Sequence, residues 1–420
     1  MAHFVIYESW LEGHGRVLPG LLRELGHTWT FVTRNPDHYL LSSGPHPIVT
    51  QADAVERVET NSVAEALPIV ERLVKGAADA VFTVCDYYIN QVAELCQRLD
   101  LPSAFCPAVT VARDKALVRR LLDEAGLPNA RHLLTADIDA ALEFATRIRY
   151  PLVCKPSDLA SSAFVRRVDN DEELRATCAA IAAFRHNFRG QQREPVVLLE
   201  EWLTGDEFSV EAITRGGRTT ILGVTDKVVA RPPYFIEVGH QFPAALDEAD
   251  GAAVHTYVTQ CLAAIGFDEG VSHTEVKLTP SGPALIEINP RPGGNYIVDL
   301  VRHVTGVDQL EQQLAAALGE PYTPRPVATL ATSAASALLI PGNAGVVTSI
   351  TGVDEARRTP GLECLELFAE PPFEVEEPVD NGCYLGMLLV TDPSGMSAGA
   401  RAQNAASKIT FVTQQEAAVV

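Results

Sequence analysis

His273-Thr-Glu-Val-Lys-Leu-Thr-Pro-Ser-Gly-Pro-Ala-Leu-Ile-Glu-Ile-Asn-Pro-Arg-Pro-Gly-Gly294 is the stretch from which the rest of the chain is best read. Alternation along a strand puts His273, Glu275 and Lys277 on one face and Val276 and Leu278 on the other. On a returning strand Glu287 and Asn289 share a face, with Ile286 and Ile288 opposite. A turn around Pro280 to Gly282 brings Glu275 nearly opposite Glu287. Two carboxylates facing each other across a sheet repel, and a divalent cation turns that repulsion into attraction. Two glutamates with the amide oxygen of Asn289 make a hard-oxygen set that suits Mg2+ bridging phosphates, with Mn2+ as an alternative. Arg291, two residues on, is placed to neutralise a transferred phosphoryl group. The ordinary alternative is a solvated hairpin with surface carboxylates. It leaves unexplained the stiff and then flexible run Pro290, Pro292, Gly293 and Gly294.

Upstream segments supply what a phosphate-bearing ligand needs. Pro151-Leu-Val-Cys-Lys155-Pro sets a lysine at the end of an apolar strand, where its charge requires an anionic partner. Lys115, at the start of a helix capped by Asp114, reaches toward another phosphate. Taken singly, each lysine also fits an ordinary surface position. Val196-Val-Leu-Leu-Glu-Glu-Trp-Leu-Thr-Gly-Asp-Glu207 ends a buried strand in a short linker. Backbone groups there can pair with an adenine edge, and an acidic side chain can take ribose hydroxyls.

The first hundred residues alternate strand and helix. Phe4-Val5-Ile6, Trp29 to Thr33 and Asp79 to Val84 read as strands, and Arg16 to Leu25 and Tyr87 to Leu99 as helices. That rhythm predicts a small parallel sheet, with Glu8, Gly13, His14 and Asp86 near a cleft at its carboxyl edge. A second unit starts near Val109, with strands at Leu152 to Lys155, Val196 to Glu200, Phe208 to Thr214 and Thr219 to Thr225, then a helix Asp247 to Ile265. Pro321, Pro324 and Pro326 mark a stiff linker into a β-rich last region.

Composition bounds the function. Net charge is −21 and no Lys/Arg cluster is visible, so a nucleic-acid backbone or an anionic membrane surface is a poor partner. No run of about 18 apolar residues exists to span a membrane. The N-terminus reads as a strand instead of a signal peptide, so a cytoplasmic location is expected. The eight cysteines form no CxxC pair and read as buried, reduced thiols, with no zinc site.

In order, Lys115, Lys155, Glu200-Glu201-Trp202-Leu203, Glu207, Glu275 and Glu287-x-Asn289-x-Arg291 resemble the ATP-grasp family over roughly residues 109–325. The resemblance implies an α/β and α+β chain with the ATP-grasp fold. It would have an N-terminal βαβ domain at 1–108 and a two-sheet nucleotide clamp at 109–325, whose lid covers about 130–205. A β-rich domain would fill 326–420. By the same resemblance, Lys115, Lys155 and Lys227 belong to the ATP site, Glu200, Glu201, Trp202 and Leu203 contact adenine, and Glu207 holds ribose. Glu275, Glu287 and Asn289 bind magnesium. One departure is the loop Ser157-Asp-Leu-Ala-Ser-Ser-Ala-Phe164, which lacks the glycines of many members. Ser161 and Ser162 then offer hydroxyls and backbone N–H groups to the phosphates.

Thr225-Asp-Lys-Val-Val-Ala-Arg-Pro-Pro-Tyr-Phe-Ile-Glu-Val-Gly-His-Gln-Phe-Pro243 is similar to the corresponding stretch of the L-amino-acid ligase and carnosine synthase subgroup. That similarity implies that Glu237 and His240 line an amino-acid pocket and that Arg291 engages the reacting carboxylate, with Gly294 beside it. The implied reaction joins a carboxylate to an amine through an acyl phosphate. Arg291 and a backbone donor near Gly293-Gly294 would steady the oxyanion, and His240 would act as base. Small-molecule substrates, amino acids among them, are the expected partners, and a homo-oligomer is left open. The rivals are an ATP-grasp enzyme using bicarbonate or formate and a nucleotide-binding protein without turnover.

Overall fold

The computed structural model describes residues 1–41, 44–230, 233–323 and 331–414. Pro324 and Pro326 of the expected linker, and Arg231 and Pro232 of the expected amino-acid segment, lie outside the described residues.

Apolar runs with short helices between them build the first sheet. Its parallel order is Ala54–Arg57, Thr28–Thr33, His3–Tyr7, Ala80–Phe82. Phe4, Val5, Ile6 and Tyr7 are fully buried, as in a sheet covered on both faces. Helices His14–Glu24 and Val63–Gly76 lie between its strands, and Ile89–Leu99 follows the last of them. The helix Lys115–Glu124 that follows is capped by Asp114, whose carboxylate accepts the N–H groups of Ala116 and Leu117.

A four-stranded antiparallel sheet forms next, in the order His132–Thr135, Val197–Glu201, Leu152–Lys155, Arg166–Val168. Helices Ile138–Ile148 and Asp171–Ala183 close it over its own core, which includes Phe144, Leu152, Cys154, Leu174 and Ile181. The largest sheet has eight strands. Its order is Gly282–Asn289, Gly270–Thr279, Asp206–Arg215, Arg218–Val229, Glu237–Phe242, Ser333–Leu339, Gly386–Asp392, Leu362–Leu367.

The last region is β-rich, but three of its strands extend the large sheet instead of closing one of their own. Ser333-Ala-Ala-Ser-Ala337 gives a strand of small side chains, all buried, that lies flat against Glu237–Phe242. Phe373–Val375, Gly345–Thr351 and Thr410–Gln414 form a separate three-stranded sheet. The helix Ala398–Lys408 was not expected from sequence. Its alanines favour helix and let Ala398, Ala402 and Ala405 pack closely on the sheet. No helix among the described residues is long and apolar enough to cross a membrane.

Candidate active site

The four-stranded sheet, the large sheet and the N-terminal sheet enclose a cavity of about 420 Å3. Of the nucleotide, metal and substrate residues expected by resemblance, all but Lys227 and His240 line it. Those two lie behind the wall, both buried.

The hairpin Gly270–Asn289 has the register that the alternation predicted, with Glu275 opposite Glu287 and His273 opposite Asn289. A bulge between Glu275 and Val276 interrupts the ladder there. Each carboxylate meets a cation, Glu287 with Lys115 Nζ at 3.1 Å and Glu275 with Lys227 Nζ at 3.0 Å. His273 bridges two acids through Nδ1 to Glu211 at 2.9 Å and Nε2 to Glu275 at 3.3 Å. Burial alone would lower its pKa, but Glu211 and Glu275 outweigh that and raise it to about 9. Among the described residues no group of three or more His, Cys, Asp or Glu side chains forms a metal cage. Two carboxylates and an amide oxygen facing one cavity are a smaller donor set. That set fits Mg2+, which takes one or two carboxylates and completes its shell with water and phosphate oxygens.

On the lid side one carboxylate is surrounded by cations. Glu200 contacts Lys155 Nζ and Arg119 Nε, each at 2.7 Å, and all three side chains are buried. Burial would raise the Glu200 pKa, yet the two cations hold it at about 2. Burial lowers the Lys155 pKa, with Glu200 opposing that shift. Arg119 also donates to the backbone oxygens of Leu285 and Ile286, at 2.8 and 3.1 Å, which ties the strand Val197–Glu201 to the hairpin Gly270–Asn289. The carboxylate of Glu200 is thus fully occupied by protein groups. Glu201 is engaged by Arg131 at 2.7 Å. Trp202 and Leu203 continue along the cavity wall. Arg119 was missed from sequence, although it sits one helical turn beyond Lys115 and so on the same face.

On the opposite side one cation is surrounded by carboxylates. Lys227 Nζ lies 2.9 Å from Glu237, 3.0 Å from Glu275 and 3.2 Å from Glu207. Glu237 also accepts from Asn295 at 2.9 Å and contacts His240 Nε2 at 3.1 Å. Burial opposes its ionisation, but Lys227 and His240 hold its pKa well below the carboxylate range. His240 Nδ1 meets Ser336 Oγ at 3.2 Å, so both ring nitrogens are taken by protein groups. Glu211, the wholly buried partner of His273, was also missed.

Arg291 Nε reaches Asp86 at 2.6 Å, and Asp86 accepts Trp10 Nε1–H at 3.0 Å. Burial would raise the Asp86 pKa, but Arg291 and Arg113 hold it at about 2. Of the four residues expected at the carboxyl edge of the first sheet, Gly13, His14 and Asp86 line the cavity. Glu8 does not. Its carboxylate turns inward to the hydroxyls of Thr33, Tyr39 and Thr60, at 2.9, 2.6 and 2.6 Å. Next to Gly294, a Cβ on Gly293 would stand 2.8 Å from Ile297 and 2.9 Å from His273, so only glycine fits there. In the glycine-free loop after Lys155, Ser161, Ser162 and Phe164 take positive φ of 60°, 55° and 59°. The chain adopts the left-handed turns that glycine would make easily, at some cost in strain.

Residues 148–299 match the ATP-grasp domain family, and residues 337–414 match L-amino acid ligase C-terminal domain 2. Carnosine synthase 1 of Gallus gallus is 30% identical over 314 residues, which are 71% of this chain and 33% of that protein. Alanine–anticapsin ligase of Bacillus subtilis (strain 168) is 29% identical over 266 residues, 58% of this chain and 55% of that one. The chain therefore spans about a third of one relative and just over half of the other. The crystal structure of an L-amino acid ligase from Bacillus licheniformis superposes with a TM-score of 0.80 at 22% identity, over 99% of both chains, and shares the fold.

Proposed function

We propose, for a chain that belongs to the ATP-grasp superfamily and carries an L-amino acid ligase C-terminal domain, that it is an ATP- and Mg2+-dependent ligase joining a carboxylate to an amine, with an amino acid as a substrate. One observation carries this reading. Glu275 and Glu287 stand in register beside Lys115, in the cavity that Glu237 and Arg291 also line. A phosphate-bearing site and an amino-acid site thus open onto one space.

Lys115, Lys155, Ser161 and Ser162 are assigned to the phosphates. The backbone from Glu201 to Leu203 is assigned to adenine and Glu207 to ribose. Glu200 in the cavity wall, with Arg119 and Lys227 behind it, organises these groups. Glu275, Glu287 and Asn289 would hold Mg2+ or Mn2+, which would supply charge neutralisation at the phosphates. Glu237 takes the substrate ammonium and Arg291 its carboxylate, with Gly294 alongside. The carboxylate attacks the γ-phosphate, giving ADP and an acyl phosphate. A second substrate's free amine then attacks the acyl carbon, and phosphate leaves. Lys115, Lys155 and Arg291 act by position and charge. His240 orients Glu237, and its service as base requires Nε2 to release that carboxylate. The eight free cysteines suit a reducing, cytoplasmic setting.

The test is a matrix of amino-acid pairs with ATP, read by phosphate release and product mass. Phosphate release that depends on amino acids, with an amide of the summed mass less water, is expected. Release that depends on bicarbonate, or ATP binding without ADP under any mixture, overturns the reading.

A further inference from the structure

The segment Phe184-Arg-His-Asn-Phe-Arg-Gly-Gln-Gln-Arg-Glu-Pro195 joins the helix Asp171–Ala183 to the strand Val197–Glu201 and belongs to none of the assignments above. It is a folded strap. The side-chain oxygen of Asn187 accepts the N–H groups of Arg189 and Gln191 at 2.9 and 3.0 Å. His186 and Gln192 pair as a bridge. Two buried arginines leave the strap toward different parts of the protein. Arg193 grips Asp158 in the loop after Lys155, through Nε at 2.9 Å and Nη2 at 2.7 Å. Arg189 enters the N-terminal sheet's loops, donating to the backbone oxygen of Ser9 and lying over the rings of Trp10 and Tyr39 at 5.4 and 5.8 Å.

The fit around Arg189 is specific. The Asn61 side chain donates to its backbone oxygen at 3.0 Å, and the Gln191 side chain donates to the backbone oxygen of Tyr87 at 2.9 Å. The neighbouring Gly190 has φ of 71°, and Arg34 Nη2 lies 2.7 Å from where its Cβ would stand. A larger residue there would displace the Arg34 guanidinium and be strained by the positive φ. Trp10, beneath Arg189, is the residue whose indole N–H holds Asp86, and Asp86 holds Arg291.

We propose that the strap 184–195 couples the nucleotide loop to the substrate arginine, with Arg189 a positioning residue that fixes Arg291 through Trp10 and Asp86. The proposal rests on the assignment of Arg291 to the substrate carboxylate. The nucleotide end is held by Arg193 and Asp158, and the substrate end by Arg189 on an indole that is itself hydrogen-bonded. Lifting the strap removes a stacked cation and a buried donor from Trp10 and its neighbours. The indole then gains freedom, and the Asp86–Arg291 pair loses one of its supports. By linkage, a carboxylate bound at Arg291 favours the docked strap.

The experiment uses the full chain with Arg189→Ala, Arg189→Lys and Trp10→Phe, and reads two quantities. Hydrogen exchange with MgATP present reports the strap without turnover. In Arg189→Ala, exchange over 184–195 and 8–14 is expected to speed up while the strands of the large sheet stay unchanged. Trp10→Phe keeps a ring beneath Arg189 and is expected to leave the strap protected. Kinetics then split the role. Arg189→Ala is expected to raise KM for the carboxylate substrate roughly fivefold or more, the size typical of a coupling residue. KM for ATP should stay within about twofold, which separates positioning from general loosening. Arg189→Lys should recover part of the loss, and Trp10→Phe should show the rise in KM alone. Unchanged strap exchange in Arg189→Ala overturns the proposal, as does an equal rise in both KM values. A wild-type chain that forms no amide from any amino-acid pair removes the proposed function, while the exchange measurement still decides the strap.

Discussion

Two ion clusters face each other across the cavity, built from the same residue types in opposite proportions. At the four-stranded sheet, Glu200 is shared by Lys155 and Arg119. Within the large sheet, Lys227 is shared by Glu207, Glu237 and Glu275. Each central group is almost fully buried, so neither cluster is neutralised by water. The first wall carries surplus positive charge and the second surplus negative charge. A phosphate tail is drawn to the one, and an ammonium group or a metal ion to the other. The difference teaches that the buried pairs are more than staples, because their imbalance sets the polarity of the cavity.

The largest effect is expected where the two walls meet. Glu287 contacts Lys115 from the cation-rich side and pairs in register with Glu275 on the acid-rich side. Glu287→Ala should lower ADP formation by about 1000-fold, the upper end for loss of one electrostatic group. Normal ADP formation with the true substrates would break the comparison at its hinge. The next effect is on folding. Lys227→Met removes the buried cation shared by three carboxylates, which keep His273, His240 and Lys277 beside them, and should cost about 3 kcal/mol, read by urea denaturation. A variant as stable as the wild type would mean that the acid-rich cluster needs no central cation.

The cation-rich cluster is tested by acid. The Glu200 pKa is held at about 2, below its ordinary 4.5, so its contribution is fully present above pH 4.5 and lost as pH falls toward 2. Glu200→Gln should cost about 3 kcal/mol at neutral pH, since a shift of this size corresponds to that energy. The gap between variant and wild type should narrow from pH 4.5 downward in thermal melts. A constant gap across that window would show that Glu200 contributes by packing instead of charge.

Local physics made the hairpin legible in sequence. Alternation and a turn around Pro280 to Gly282 brought Glu275 and Glu287 close together in the reading. An unbroken ladder from the pair Thr279–Gly282 would set Glu275 opposite Ile286, and the bulge between Glu275 and Val276 is what makes the two carboxylates face each other. The cap at Asp114 and the strand ending at Lys155 were legible for similar reasons. Contacts that join distant segments were not. Arg119 meets Glu200 across 81 residues and Leu285 across 166, and no short-range pattern encodes such a meeting. Glu8 shows the reverse error. Its place after a strand pointed to the cleft, while the hydroxyls of Thr33, Tyr39 and Thr60, from three separate segments, turned it inward. The strands after residue 330 read as β, but which sheet they join depends on the fit of small side chains such as Ala334 and Ala337.

The smallest effect sharpens the comparison most, because it asks which cation the acid-rich wall receives. Glu237→Gln keeps the side chain's shape, and its amide oxygen can still accept from Asn295, while the charge beside Lys227 is removed. Glu207 and Glu275 remain, so the wall stays negative and the fold keeps its central lysine paired. The expected change is therefore local. Amino-acid affinity should fall about tenfold, close to 1.4 kcal/mol, with ATP affinity unchanged in direct binding measurements. A matching loss of ATP affinity would mean that Glu237 serves the metal–nucleotide end. Unchanged affinity for every amino acid would move the ammonium elsewhere in the cavity. Either result would leave the polarity of the two walls intact but reassign what the negative one attracts.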